Sequence, residues 1–130
     1  MENKFNESTP QRPDGTRPID APIVFIDLKK FRHQIKNEPS WKDSDRNAIT
    51  MFKSEKLRFV MVALHKDASL NPHTAKGMVG IQVLEGEIKF STDKETVHMQ
   101  KGQMLVLHEM VSHNVIAMEE STFLLTLAMD

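Results

Sequence analysis

From Leu57 onward the chain never sustains a helical period. Short apolar or alternating segments are interrupted at intervals of roughly ten residues by turn formers, which restricts this region to antiparallel strands. The segments are 57–65, 79–84, 87–91, 96–100, 103–107, 114–118 and 122–129. Gly86 and Gly102 stand where the chain must reverse tightly, and Asn71-Pro72 and Thr92-Asp93 are loop-forming pairs. A run of short strands at this spacing packs as a sandwich or a small barrel.

The region before Leu57 reads differently. Residues 1–20 carry Pro10, Pro13, Pro18 and Gly15 among polar neighbours and are expected to form a loose tail. Residues 21–26 (APIVFI) are apolar and β-branched, which suits a strand. Asp27 offers an N-cap for LKKFRHQIKN, whose Leu28, Phe31 and Ile35 fall on one stripe, and the helix must end before Pro39. Its opposite face, Lys29, Lys30, Arg32, His33 and Lys36, reads as a solvated basic surface without assigned function. Trp41 lies in the turn that follows and is expected to cap the apolar end of the barrel, and 47–53 (NAITMFK) suits another strand. The expected organisation is therefore a tail (1–20), a strand–helix–strand extension (21–55) and an all-β barrel (56–130).

With 130 residues, 39% hydrophobic and 27% charged, the chain supports one core. A net charge of −1 lacks the basic footprint of nucleic-acid binding. The longest apolar run, FVMVAL, is too short to span a bilayer, and the polar N-terminus is not signal-like, so a cytoplasmic chain without a membrane partner is expected. Zero cysteines exclude disulfides and thiolate metal sites, leaving imidazole, carboxylate and amide oxygen as donors.

Two stretches carry a family resemblance. In the first, His73 leads through GIQVLEGEIKF to Gly86; in the second, Gly102 leads to His113, with SHNVIAMEESTFLLTLA following. Together they resemble the two motifs of a small single-domain cupin. The first motif is His-x-His, three or four residues, Glu, six residues, Gly. The second is Gly, five residues, Pro-x-Gly, two residues, His, three residues, Asn. The fifteen residues between Gly86 and Gly102 resemble the short intermotif stretch of compact microbial cupins. The resemblance implies an RmlC-like jelly roll, usually built around a bound metal. Carried over position by position, the first motif's histidines fall on His73 and Ala75 and its glutamate on Val79. The second motif's proline falls on His108, its glycine on Met110, its histidine on His113 and its asparagine on Ala117. Neither alanine nor valine can donate an electron pair, so the chain resembles a cupin subgroup with a degenerate metal motif.

His73 and His113 thus mark the expected site, with Val79, Ile81 and Met104 as pocket lining. A metal shell needs at least one further donor. Water or His65 would complete it, His65 if its side of the strand faces inward, and His108 or Glu109 would serve if the loop before His113 turns in. Gln82 and His98 fall outward by strand alternation. No tightly held cofactor is expected; a weakly bound Zn, Fe, Mn or Ni is the alternative. The methionines, among them Met61, Met78, Met99, Met104, Met110 and Met118, suggest a soft, adaptable interior. Three functions remain open on these residues. They are small-molecule binding at the barrel mouth, a metal-dependent dioxygenase or isomerase (or a metal-free histidine acid–base site), and a dimeric module with a vestigial pocket. A homodimer is expected, with 21–26 as the strand that pairs with a second chain.

Overall fold

A computed structural model of the chain describes residues 3–7, 9, 16–73 and 75–129, with 71–73 as backbone only. The elements run β1 (Lys4–Asn6), β2 (Arg17–Asp20), α1 (Leu28–Ile35), α2 (Pro39–Asp43), β3 (Arg46–Lys53), β4 (Leu57–Leu64), β5 (Ser69–His73) and β6 (Met78–Glu85). They continue with β7 (Glu87–Ser91), β8 (Thr96–Gln100), β9 (Met104–Leu107), β10 (His113–Ala117) and β11 (Ser121–Ala128). Two antiparallel sheets face each other, one in the order β5-β10-β7-β8 and the other β3-β4-β11-β6-β9, while β1 and β2 pair separately.

The core between the sheets is apolar because alternate residues of each strand point into it. Val62 and Leu64 of β4, Val79, Ile81 and Val83 of β6, Ile88 and Phe90 of β7, and Phe123 of β11 are buried together there. A second cluster lies on the outer face of the five-stranded sheet, where Ile35 of α1 and Trp41 of α2 pack on Ile49, Met51, Met61 and Ala63. The run FVMVAL is explained by this arrangement. It occupies β4, which has the interior on one side and the helical extension on the other, so both parities must be apolar.

The helix begins as expected: Asp27 Oδ1 accepts from the Lys30 backbone N–H at 3.2 Å, and Ile35 is fully buried. Two bonded groups seat it on the barrel. Arg32 and Lys36, from the basic face read as solvated, both pair with Glu85, and Lys36 also reaches Glu120 at 2.9 Å. Buried Asn47 donates to the Ile35 carbonyl and to Glu38 Oε1, each at 2.9 Å. Gly86 turns β6 into β7 at φ +85, and a Cβ there would collide with the Glu120 carbonyl oxygen, so no other residue fits.

Four expectations are corrected. Residues 1–20 are not wholly loose: Lys4–Asn6 pairs with Arg17–Asp20, and the Arg17 guanidinium lies 5.0 Å from the Phe31 ring centroid and donates to the Thr50 carbonyl. Pro10, Pro13 and Gly15 lie outside the described residues. Residues 21–26 are not a strand: among the described residues they pair with no other strand, and Ile23 and Phe25 are 85% and 88% exposed. Trp41 caps no barrel end but packs on the outer face of the sheet, in a short helix started by Pro39. Finally, Ser69–His73 forms a strand where a loop was expected. Pro72 is tolerated because β5 is an edge strand, whose outward N–H groups are not needed by the ladder.

Candidate functional site

The backbones of the two candidate histidines lie opposite each other on neighbouring strands. In the β5–β10 ladder His113 is the register partner of His73, with an irregularity between His113 and Val115. The His73 side chain lies outside the described residues, so its contribution here is the position of its backbone. His113 opens β10 and alternates inward with Val115 and Ala117, all three buried. Its ring is 3% exposed and stacks on Phe90, with centroids 5.4 Å apart and planes inclined by 16°. The Val111 carbonyl lies 3.0 Å from Nδ1 and can only accept, so Nδ1–H is the donor. In the neutral ring this places the lone pair on Nε2.

Two further positions of the first motif lie against the same interior. Val79 (3% exposed) and Ile81 (1%) sit in the core between the sheets, and Ala75 packs against that core, its carbonyl accepting from the Met110 N–H at 2.8 Å. Met110 takes the position of the second motif's glycine and has a left-handed backbone, φ +66. The turn thus has a conformation that favours glycine, with a methionine in it. Gly102, which opens the second motif, likewise lies at φ +87.

The other candidates are placed elsewhere. His65 shares the parity of Phe59 and Met61, and that parity is the outer one. Its ring stacks on Trp41 at 3.5 Å, and its Nε2 lies 2.8 Å from the Trp41 carbonyl oxygen. His108 and Glu109 are exposed in the loop after β9. Met104, expected in the pocket, is 62% exposed. In the all-apolar strand MLVL the sequence offers no polar residue to mark the faces, and Leu105 and Leu107 are the ones that point inward. The expected methionine-rich interior is also corrected: Met99 lies in the core between the sheets and Met61 in the outer cluster, whereas Met104, Met110 and Met118 are exposed. Gln82 and His98 are exposed, as their alternation indicated.

Among the described residues, no three His, Cys, Asp or Glu side chains gather to hold a metal ion. The donor chemistry gives the reason: Ala75 and Val79 occupy two of the positions where a cupin shell would need ligands, and His65 is engaged across the sheet. These residues do not fit a resident metal. What they present instead is one oriented imidazole, stacked on an aromatic ring among buried apolar side chains. Phe90, the stacking partner of His113, was missed from sequence. Its alternation with Ile88 marked it as inward, but nothing local linked it to a strand more than twenty residues away.

No family model matches the sequence, and no curated protein matches it either. Solved structures do. A cupin-2 domain protein from Shewanella frigidimarina superposes with a TM-score of 0.64 at 15% identity, covering 81% of this chain and 95% of that one. A cupin 2 conserved barrel domain protein from Leptotrichia buccalis gives 0.63 at 28%, over 66% of this chain and 42% of that one. A conserved protein of unknown function from Streptococcus pyogenes gives 0.63 at 22%, over 65% and 75%. Among the described residues no helix is long and apolar enough to cross a membrane. With two facing antiparallel sheets, both motif turns and these structural neighbours, the chain has the cupin fold, an RmlC-like jelly-roll barrel.

Proposed function

We propose that the barrel binds a small organic molecule at its His73–His113 end, without a tightly held metal. The observation that carries this reading is His113. A polar ring, 3% exposed, is stacked on Phe90 and held in one tautomer by the Val111 carbonyl, in an interior that is otherwise apolar. A buried imidazole whose Nδ1–H is committed to the Val111 carbonyl has a fixed tautomer and orientation, which is what a recognition group needs. Such a site selects a ligand with an apolar or planar body and one group that hydrogen-bonds to imidazole.

The test is a thermal-shift screen of small planar acids, alcohols and heterocycles against the wild type and His113→Phe, followed by titration calorimetry of hits. Ligands are expected to stabilise the wild type and lose at least about tenfold in affinity on His113→Phe, the loss of one buried hydrogen bond. Hits that bind both proteins equally would remove His113 from the site. Metal analysis of untagged protein is the second arm: stoichiometric metal that disappears in His113→Ala would overturn the metal-free reading.

A further inference from the structure

One row of the five-stranded sheet ends in a charge. Val79 of β6 is the register partner of Leu107 of β9 and of Leu127 of β11, and Leu127 is in turn the partner of Arg58 of β4. Directly opposed residues share a face, and Val79, Leu107 and Leu127 all lie against the core between the sheets, so Arg58 takes the inner side as well. Alternation along β4 agrees: Val60, Val62 and Leu64 are inward, whereas Phe59, Met61 and Ala63 pack outward. This row lies at the His73–His113 end, because short loops join the two. β5 ends at His73 and β6 opens at Met78, while β9 ends at Leu107 and β10 opens at His113. Arg58 therefore stands at the rim of the apolar interior that His113 faces. Its Nε is buried with no hydrogen-bond partner, and among the described residues its side chain forms no ion pair. Lys53, the register partner of Arg58 on β3, has no ion pair either.

We infer, building on the binding reading above, that the molecule taken at this end is a carboxylic acid, its carboxylate held by Arg58 and its apolar or planar body lying over Leu127 and Val79 toward His113. Nε and the adjacent Nη of a guanidinium offer two parallel N–H donors, which a carboxylate accepts bidentately and a neutral amide or hydroxyl does not. An anion there bonds the donor that the fold leaves unbonded. It also relieves the repulsion between Arg58 and Lys53, like charges directly opposite each other in a ladder. Nearby charges cancel, Glu55 against Lys56 in the turn between β3 and β4, and Lys76 against Glu109 in the two loops, so Arg58 and Lys53 set the sign at this end. Lys53, on an exposed stem, adds positive potential without a fixed fork.

Titration calorimetry of benzoate and cinnamate beside their neutral isosteres benzamide and cinnamamide tests it, on the full-length wild type and on Arg58→Gln, Arg58→Lys and His113→Phe. An acid is expected to bind the wild type at least about tenfold more tightly than its amide, the loss of a charge-assisted bond. Arg58→Gln is expected to bring the acid down to the level of its amide and to leave both amide affinity and melting temperature unmoved, since the fold makes no bond to the Nε that is lost. Arg58→Lys, which keeps the charge and loses the fork, is expected to recover part of the acid preference. Acids and amides that bind the wild type alike would overturn the inference, as would an acid preference that survives Arg58→Gln, or no binding by any of these probes at about 10 mM. A melting temperature several degrees lower in Arg58→Gln would assign the arginine to the fold instead. The two readings fail separately. Acids that need His113 and ignore Arg58 would leave the binding reading standing and remove this one, whereas acids that need Arg58 and ignore His113 would keep this one and remove His113 from the site.

Discussion

If Ala75 and Val79 mark two lost ligand positions around the space that His113 faces, restoring donors there should create a metal site. The perturbation is Ala75→His with Val79→Glu. Val79 is 3% exposed among aliphatic neighbours, so a carboxylate at that position has no adjacent protein partner and should cost roughly 3 kcal/mol or more in chelator. With a micromolar site, 1 mM Zn²⁺, Mn²⁺ or Ni²⁺ returns about 4 kcal/mol, since ligand binds only the folded state. At about 3–5 °C per kcal/mol for a chain of this length, the double variant should melt roughly 10 °C below the wild type in chelator and recover roughly 12–20 °C on adding metal. The wild type, with alanine and valine in place, should move by less than ~2 °C. The assay is calorimetry with and without metal, with far-UV circular dichroism to confirm folding. A folded double variant whose melting ignores all three metals would refute the reasoning, because positions 75, 79 and 113 would then not surround one volume.

Other expectations follow from the same geometry. Met110→Gly should stabilise by about 0.5–1 kcal/mol in urea titration, the relief of a left-handed methionine (~1–2) less the entropy of a more flexible unfolded chain (~0.5–1); destabilisation would contradict the reading of that turn. Asn47→Ala should cost about 2–3 kcal/mol with an unchanged denaturant slope, since it removes two donors from buried acceptors that join the helices to β3, and a loss under ~0.5 would show that those acceptors find other partners. The hydrogen bonds from Arg46 hold the Asp45 carboxyl below its ordinary value. Because the folded-state value is the lower one, its contribution is present above the unfolded value and fades as pH falls through the folded one. In a carboxyl NMR titration, Arg46→Gln should raise the Asp45 midpoint, and an unmoved midpoint would remove Arg46 as the cause.

Much of the barrel was legible because strand periodicity is a local property. Glu87–Ser91 and Thr96–Gln100 have the bounds that alternation and turn residues indicated, and the other expected barrel strands differ by one residue at one or both ends. Asp27 as a cap and Ile35 as the buried end of the helical stripe were equally local. Where no polar residue marked a face, alternation could not be oriented, which is why Met104 was assigned to the wrong side and the side of His65 was left conditional. A proline argued against β5 only as long as its place in the sheet was unknown.

The sequence by itself determined what positions 75 and 79 can do, because the chemistry of Ala75 and Val79 does not depend on folding: neither can donate an electron pair. Tertiary structure decided what surrounds His113. It set Phe90 against the imidazole, sent His65 to Trp41 on the far side of the sheet and left Phe25 in solvent. Each of those outcomes rests on contacts between strands and helices distant in the chain, which sequence spacing does not encode.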